Sequence, residues 1–199
     1  WNGDQVKRSA DQSYDIYIDR GLWASWSAVP FLVPDASVHM LPVEAPVPLN
    51  DGVAFVVWPY DTNRRWEDDV FPFLPRPAYL RVERGPAGQG DLDPEPYTLA
   101  MITRAEPIPE VPEPVAHFEQ GILLRAALVQ TMTDDTIRMN LWWEPTAPVD
   151  ASYTVFAHYN RGGAKIAQHD GRPGLGHLPT PMWVTGDLIL DIHPLSGIT

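Results

Sequence analysis

Ile122-Leu123-Leu124-Arg125-Ala126-Ala127-Leu128-Val129-Gln130, a polar turn at Thr133-Asp134-Asp135, and Thr136-Ile137-Arg138-Met139-Asn140-Leu141-Trp142-Trp143 form the stretch whose reading decides the fold. Side chains alternate along a strand, so Ile137, Met139, Leu141 and Trp143 point one way while Arg138, Asn140 and Trp142 point the other. The two runs are predicted to be strands joined by that turn, with one face in a core. Downstream, Tyr153–Tyr159 and Lys165–His169 make a second hairpin across Arg161-Gly162-Gly163, whose glycines supply positive φ. After a Gly/Pro loop, Asp187–Ile192 reads as another strand. Short strands with turn signals every 8–12 residues or so predict an antiparallel β-sandwich for this half of the chain.

Upstream the habit changes. Pro107-Ile108-Pro109-Glu110-Val111-Pro112-Glu113-Pro114 favours an extended polyproline connector and forbids helix and central strand alike. Residues 1–116 hold 16 of the 22 prolines, with 18 acidic and 9 basic residues; residues 117–199 hold 6 prolines, with 8 acidic and 5 basic. The expected organisation is a small α/β subdomain over 1–106, a Pro-rich linker over 107–116 and the sandwich over 117–199. The fold class is thus α+β, predominantly β. In the first part, Ser9–Ser27 is predicted to be the one long helix, capped by Ser9 or Asp11, with Tyr14, Ile18 and Leu22 on one face. Gly21 weakens that helix. Strands are predicted at Ser37–Leu41, Val53–Trp58, Ala78–Val82 and Tyr97–Thr103, and a short helix within Arg64–Phe73. The continuous run Val53–Trp58 is that of a strand buried on both faces.

Composition narrows the function. The chain has 199 residues, 44% hydrophobic and 20% charged, with eight Trp, seven Tyr and six Phe, enough for a real core and too apolar for disorder. Its formal charge is −12, and the one dense basic pair, Arg64-Arg65, runs straight into Glu67, Asp68 and Asp69. A nucleic-acid partner, which needs clustered Lys and Arg, is therefore not expected, nor is docking on an anionic membrane by charge. With no Cys there is no disulfide, thiolate metal site or thiol catalysis, and the compartment stays open. No apolar run is long enough to span a bilayer. The start at Trp1, with no basic and apolar leader before it, reads as a piece of something longer.

A late motif carries a resemblance. Ala167-Gln168-His169-Asp170-Gly171-Arg172-Pro173-Gly174 is followed by Pro179-Thr180-Pro181-Met182-Trp183-Val184-Thr185-Gly186-Asp187-Leu188-Ile189-Leu190-Asp191. With the Tyr153–His158 and Leu141–Trp143 strands, this run resembles a jelly-roll-like module at the extracytoplasmic C-terminus of bacterial multi-spanning membrane proteins. Those proteins are similar to lipid-linked-sugar glycosyltransferases of the protein-mannosyltransferase and aminoarabinose-transferase type. The resemblance covers roughly residues 118–193. A weaker one, on element order and Trp58-Pro59-Tyr60, links the first half to the soluble insert before that module. Such modules continue with a further hairpin and a Gly-Arg-Tyr-like strand, whereas this chain stops at Thr199, so the piece is truncated or the sandwich closes differently.

The resemblance implies an extracytoplasmic region tethered to the membrane through its parent chain. Sugar transfer from a polyprenyl-phosphate donor would occur in a membrane-embedded part of that chain. The family's catalytic carboxylates match no position here, so no catalytic residue, cofactor or metal is carried over. The expected role is non-catalytic, assisting recognition of a glycan or glycolipid acceptor. The alternative is a secreted carbohydrate-binding or adhesion module, and the third reading a soluble glycoside-active enzyme.

Within the motif, Gly171, Gly174, Gly176 and Gly186 with three prolines suit a long loop between sheets, where Asp170 and Asp191 can accept loop N–H groups and Trp183 can plug the sandwich end. Candidate binding residues are Trp142, outward if Trp143 faces the core, and Tyr159, to stack on a sugar ring, with Tyr153 as a further platform and Trp23, Trp26 and Trp66 as alternatives. His158, His169 and Asp170 complete the set, with His177 and His193 nearby. If the hairpin closes on Gly162-Gly163, residue 158 pairs with 167 and 156 with 169, and His158 and His169 share a face within reach of one metal or ligand. A three-residue turn reverses that parity. Glycoside hydrolysis would need two facing acids, drawn from Glu144, Asp170, Asp187 and Asp191. A calcium at Asp134-Asp135 lacks ligands.

Overall fold

A computed structural model describes residues 14–25, 37–58, 70–84, 87–89, 96–98, 101–133 and 135–198. The protein is mostly β and divides into two units. One comprises Trp1–Pro75 and Val82–Pro107, the other Arg76–Arg81 and Ile108–Thr199. No helix among the described residues is long and apolar enough to cross a membrane.

In the first unit, β1 (Asp15–Asp19) pairs in parallel with both β2 (Val38–Leu41) and β3 (Val53–Val57). Strand β4 (Tyr79–Arg84) runs across the division of the chain, and β5 (Ala87–Gln89) and β6 (Pro96–Thr98) form a small antiparallel pair. The strand β7 (Met101–Glu106) lies antiparallel to β3. Val53 to Val56 are all buried, so both faces of β3 are covered, as its continuous apolar run requires. Ile16, Ile18, Leu22, Ala54, Val56 and Ile102 make one core cluster, and the Tyr17 ring stacks between His39 and Phe55.

The long helix expected from Ser9 is overturned where the chain is described. Asp15–Asp19 is a strand, and helix α1 is confined to Arg20–Ser25. Tyr14, Ile18 and Leu22 fit a helical spacing, but Tyr14, Ile16 and Ile18 fit a strand equally, and the β-branched pair prefers it. All three are buried, as is Tyr17. The cap is Asp19, whose Oδ1 accepts the Leu22 N–H at 3.1 Å. Ser9, Asp11, Trp26, Trp66 and residues 59–69 lie outside the described residues; of the second expected helix, Phe71–Phe73 forms a single 3-10 turn. Tyr97–Thr103, expected as one strand, belongs to the separate strands β6 and β7.

The second unit is built on β8 (Ala116–Phe118), β9 (Ile122–Thr133), β10 (Thr136–Pro145) and β13 (Leu188–Ser196). These run antiparallel in the order β8-β9-β10-β13, and Tyr79–Arg81 of β4 adds in parallel beside β13. Pro107–Pro114 has no regular structure. Ile137, Leu141 and Trp143 are buried and alternate with Arg138, Asn140 and Trp142, as the pattern predicts. A separate hairpin, β11 (Val155–Arg161) with β12 (Ala164–Gly171), packs through Ala167 and Tyr159 onto Ile137, Met139, Leu195 and Ile198. Buried Asp187 anchors the start of β13. Both its oxygens take the Arg76 guanidinium, and the backbone N–H groups of Ala78 and Val184 donate to it at 3.2 and 2.7 Å.

The hairpin corrects one register. Gly162-Gly163 is indeed a two-residue turn, with φ of 59° and 81° and Arg161 opposite Ala164. Beyond Lys165, however, β12 carries one extra residue, Ile166, so His158 faces Gln168 and Ala157 faces His169. His158 and His169 therefore lie on opposite faces.

Candidate functional site

Where β8, β9 and β10 meet the start of β11 and the loop after β12, the second unit forms a half-open cavity of about 350 Å³. Trp143 and Ile122 come from the buried side of the sheet, Phe118 from the edge strand, Tyr153 to Phe156 from β11 and its approach, and Pro173 and Trp183 from the loop. The Phe118 and Trp143 rings meet edge to face at 5.7 Å. Phe118 is 47% exposed, so its ring stands at the rim instead of in the core; Phe156 also lines the space, is 68% exposed, and sets its ring edge to face on His158 at 6.4 Å. The wall is fixed by Thr180, whose hydroxyl donates to the Ala151 carbonyl at 2.6 Å and accepts the Tyr153 N–H at 2.9 Å. Trp183 is held by its indole N–H on the Leu178 carbonyl at 2.8 Å. The buried Trp143 indole N–H, by contrast, has no acceptor among the described residues. Apart from Tyr153, the lining holds no ionisable group: its polar side chains are Gln120, Thr154 and Thr180.

The ionisable residues collect elsewhere in the same unit. On β13, Asp191 and His193 are separated by two positions and share a face; both are buried. His193 Nε2 lies 2.7 Å from Asp191 Oδ2, and its Nδ1 lies 2.9 Å from His169 Nδ1 and 3.1 Å from the His169 carbonyl. Burial pushes the His193 pKa down. The Asp191 hydrogen bond and charge, with the His169 carbonyl and the Asp170 charge, outweigh it and raise it above the ordinary histidine value. In the imidazolium form Nε2–H donates to Asp191 and Nδ1–H to His169. The other Asp191 oxygen accepts the Gly174 N–H at 3.0 Å, which ties the Gly/Pro loop to the sheet.

Of the residues chosen from sequence, the structure brings together His158 and Asp170, 3.4 Å apart on the outer face of the hairpin. His169 goes to the inner face with His193, so the expected shared site of His158 and His169 does not form. Among the described residues no three His, Asp or Glu side chains are placed to hold a metal. Tyr159 packs against the inner core cluster, with the Arg161 guanidinium 5.8 Å over its ring. Trp142 is half-buried on the sheet face opposite Trp143, away from the cavity. The four acids considered for hydrolysis are all engaged. Glu144 binds Arg125, Asp170 His158, Asp187 Arg76 and Asp191 His193.

Sequence reasoning singles out Tyr153 but misses Phe118 and Phe156. Each sits in a short run where periodicity does not say which face stays uncovered. The available signal is an aromatic residue at the outward position of a hairpin, which for Phe156 requires the bulge to be known. Compared with protein-family models, with curated proteins and with solved structures, the chain matches none of them.

Proposed function

We propose that this chain is a non-catalytic recognition region that receives a glycan or glycolipid acceptor in the aromatic cavity of its second unit. The observation that carries this reading is the pocket itself: a mostly apolar, half-open space lined by Phe118 and Phe156, with an indole at its wall. Such rings offer flat faces to the C–H side of a sugar ring or to an apolar aglycone, and a pocket of this kind is the default binding site of a fold. The lack of any carboxylate or imidazole in the lining favours binding over hydrolysis, since bond cleavage by a glycosidase needs two facing acids.

The sequence resemblance extends this to an extracytoplasmic domain of a membrane glycosyltransferase-like protein, with a small α/β unit followed by a jelly-roll-like sandwich. The parallel β1–β2 and β1–β3 pairs, with α1 following β1, support the first part. The β11–β12 hairpin packed on the β10–β13 face supports the second. The alternative, a secreted binding module, shares the same cavity.

The binding claim is tested by titrating the purified chain with defined oligosaccharides and with alkyl glycosides, reading indole fluorescence and heat. Saturable binding weakened roughly threefold to tenfold by Phe118→Ala or Phe156→Ala supports it. No binding by any probe, or binding indifferent to both changes, overturns it. The membrane attachment is tested on the coding sequence upstream of Trp1. Several apolar stretches of about 20 residues support it, and a lone signal peptide favours the secreted module.

A further inference from the structure

Strand β9 is twelve residues long, but β8 covers its outer edge only at Ile122–Leu124. Among the described residues no strand pairs with that edge from Arg125 to Thr133. Ala126-Ala127-Leu128-Val129-Gln130-Thr131-Met132-Thr133 contains no charge and no proline, in a chain of net charge −12. Proteins normally blunt such an edge with Lys, Pro or a covering element. Here it is left with Leu128 46%, Val129 53% and Met132 48% exposed.

The same segment is a palindrome in residue type about Gln130. Reading outward on either side come a β-branched residue (Val129, Thr131) and then a long apolar one (Leu128, Met132). We propose that β9 pairs antiparallel with β9 of a second copy about a two-fold axis at Gln130. In that register Leu128 meets Met132 of the other copy on one face of the joined sheet, and Val129 meets Thr131 on the other. Every pair occurs twice, as an isologous contact requires. Cross-strand apolar and β-branched pairs are the units that stabilise a sheet.

Charge fits the same register. Gln130 faces itself on the axis without repulsion, and Arg125, already bound to Glu144, lies opposite Asp135 at the turn of the other copy, so no like charges meet there. The short β8 lies beyond that turn, and the chain just before it meets the edge at Leu124 and Arg125, through the Val115 N–H and the Pro112 carbonyl. An unrelated strand could satisfy the backbone but would have no reason to match this symmetry.

The test uses sedimentation equilibrium of the whole chain across a concentration series, with Gln130→Lys and Gln130→Glu. Gln130 is exposed, so neither change threatens the fold. The expected result is a concentration-dependent dimer, weakened about tenfold or more by either substitution alone, since like charges then meet directly across the axis. An equimolar mixture of the two variants should recover the dimer as a heterodimer. A wild-type chain that stays monomeric at every concentration overturns the proposal. So does a dimer insensitive to both substitutions, or one that the mixture does not recover.

Discussion

Asp191 and His193 stand two residues apart on one strand and meet end to end, Oδ2 to Nε2 at 2.7 Å, with both side chains almost wholly removed from solvent. The folded state holds the imidazolium more tightly than the unfolded chain does, because the His193 pKa is raised. Its stabilising contribution is therefore complete below the unfolded histidine pKa of about 6.5 and fades as pH rises through the higher folded value. Urea denaturation of wild type and His193→Gln from pH 5 to pH 9 should show the difference between them shrinking with rising pH. A difference that is constant or growing over that range contradicts the assignment.

Asp187 is buried against Arg76, with two backbone N–H groups also pointing at it. Asp187→Ala leaves the guanidinium and both N–H groups without their acceptor. It should cost about 3–5 kcal/mol in urea denaturation, as breaking a buried pair does. Replacing both members, Arg76→Met with Asp187→Leu, should cost less than the sum of the two single changes, which a double-mutant cycle measures.

Two glycines of positive φ separate backbone strain from crowding. At Gly163 a Cβ would meet nothing within 4 Å, so Gly163→Ala should cost about 1 kcal/mol, the conformational penalty alone. At Gly174 the Cβ would lie 2.7 Å from the Leu178 side chain, and a further 1–3 kcal/mol or so of overpacking is expected. Equal midpoint shifts on thermal unfolding would refute the distinction.

Trp143 and Trp183 line one cavity but differ in their indole N–H groups. Trp183 donates to Leu178, whereas Trp143 finds no acceptor among the described residues. Both changes to Phe remove ring area; only Trp183→Phe also leaves a carbonyl short of its donor. It should be the more destabilising by about 1 kcal/mol, read from denaturant midpoints.

The second unit is the more legible half because its strands announce themselves by alternation. Ile137, Leu141 and Trp143 go inward as a period of two dictates, and Gly162-Gly163 sets its turn. Segment 14–25 misleads for a physical reason. Tyr14, Ile16 and Ile18 satisfy two periods at once, and tertiary neighbours on both edges of the strand, β2 and β3, decide between them. The buried chain from Asp191 through His193 to His169 is half legible. The first two residues share a face by spacing, but the third arrives there only through the extra residue in β12. The cavity is least legible, since its rim residues come from four segments distant in sequence.

That extra residue has a consequence for how the hairpin tolerates change in length. Ile166 opposes no partner of its own, so excising it would close the ladder with Tyr159 still opposite Ala167 and Ala157 still opposite His169. The position behaves as a slack link. A chain one residue shorter at Ile166 keeps its inward set, whereas deleting Gln168 puts the bulkier Ile166 where Ala167 now packs.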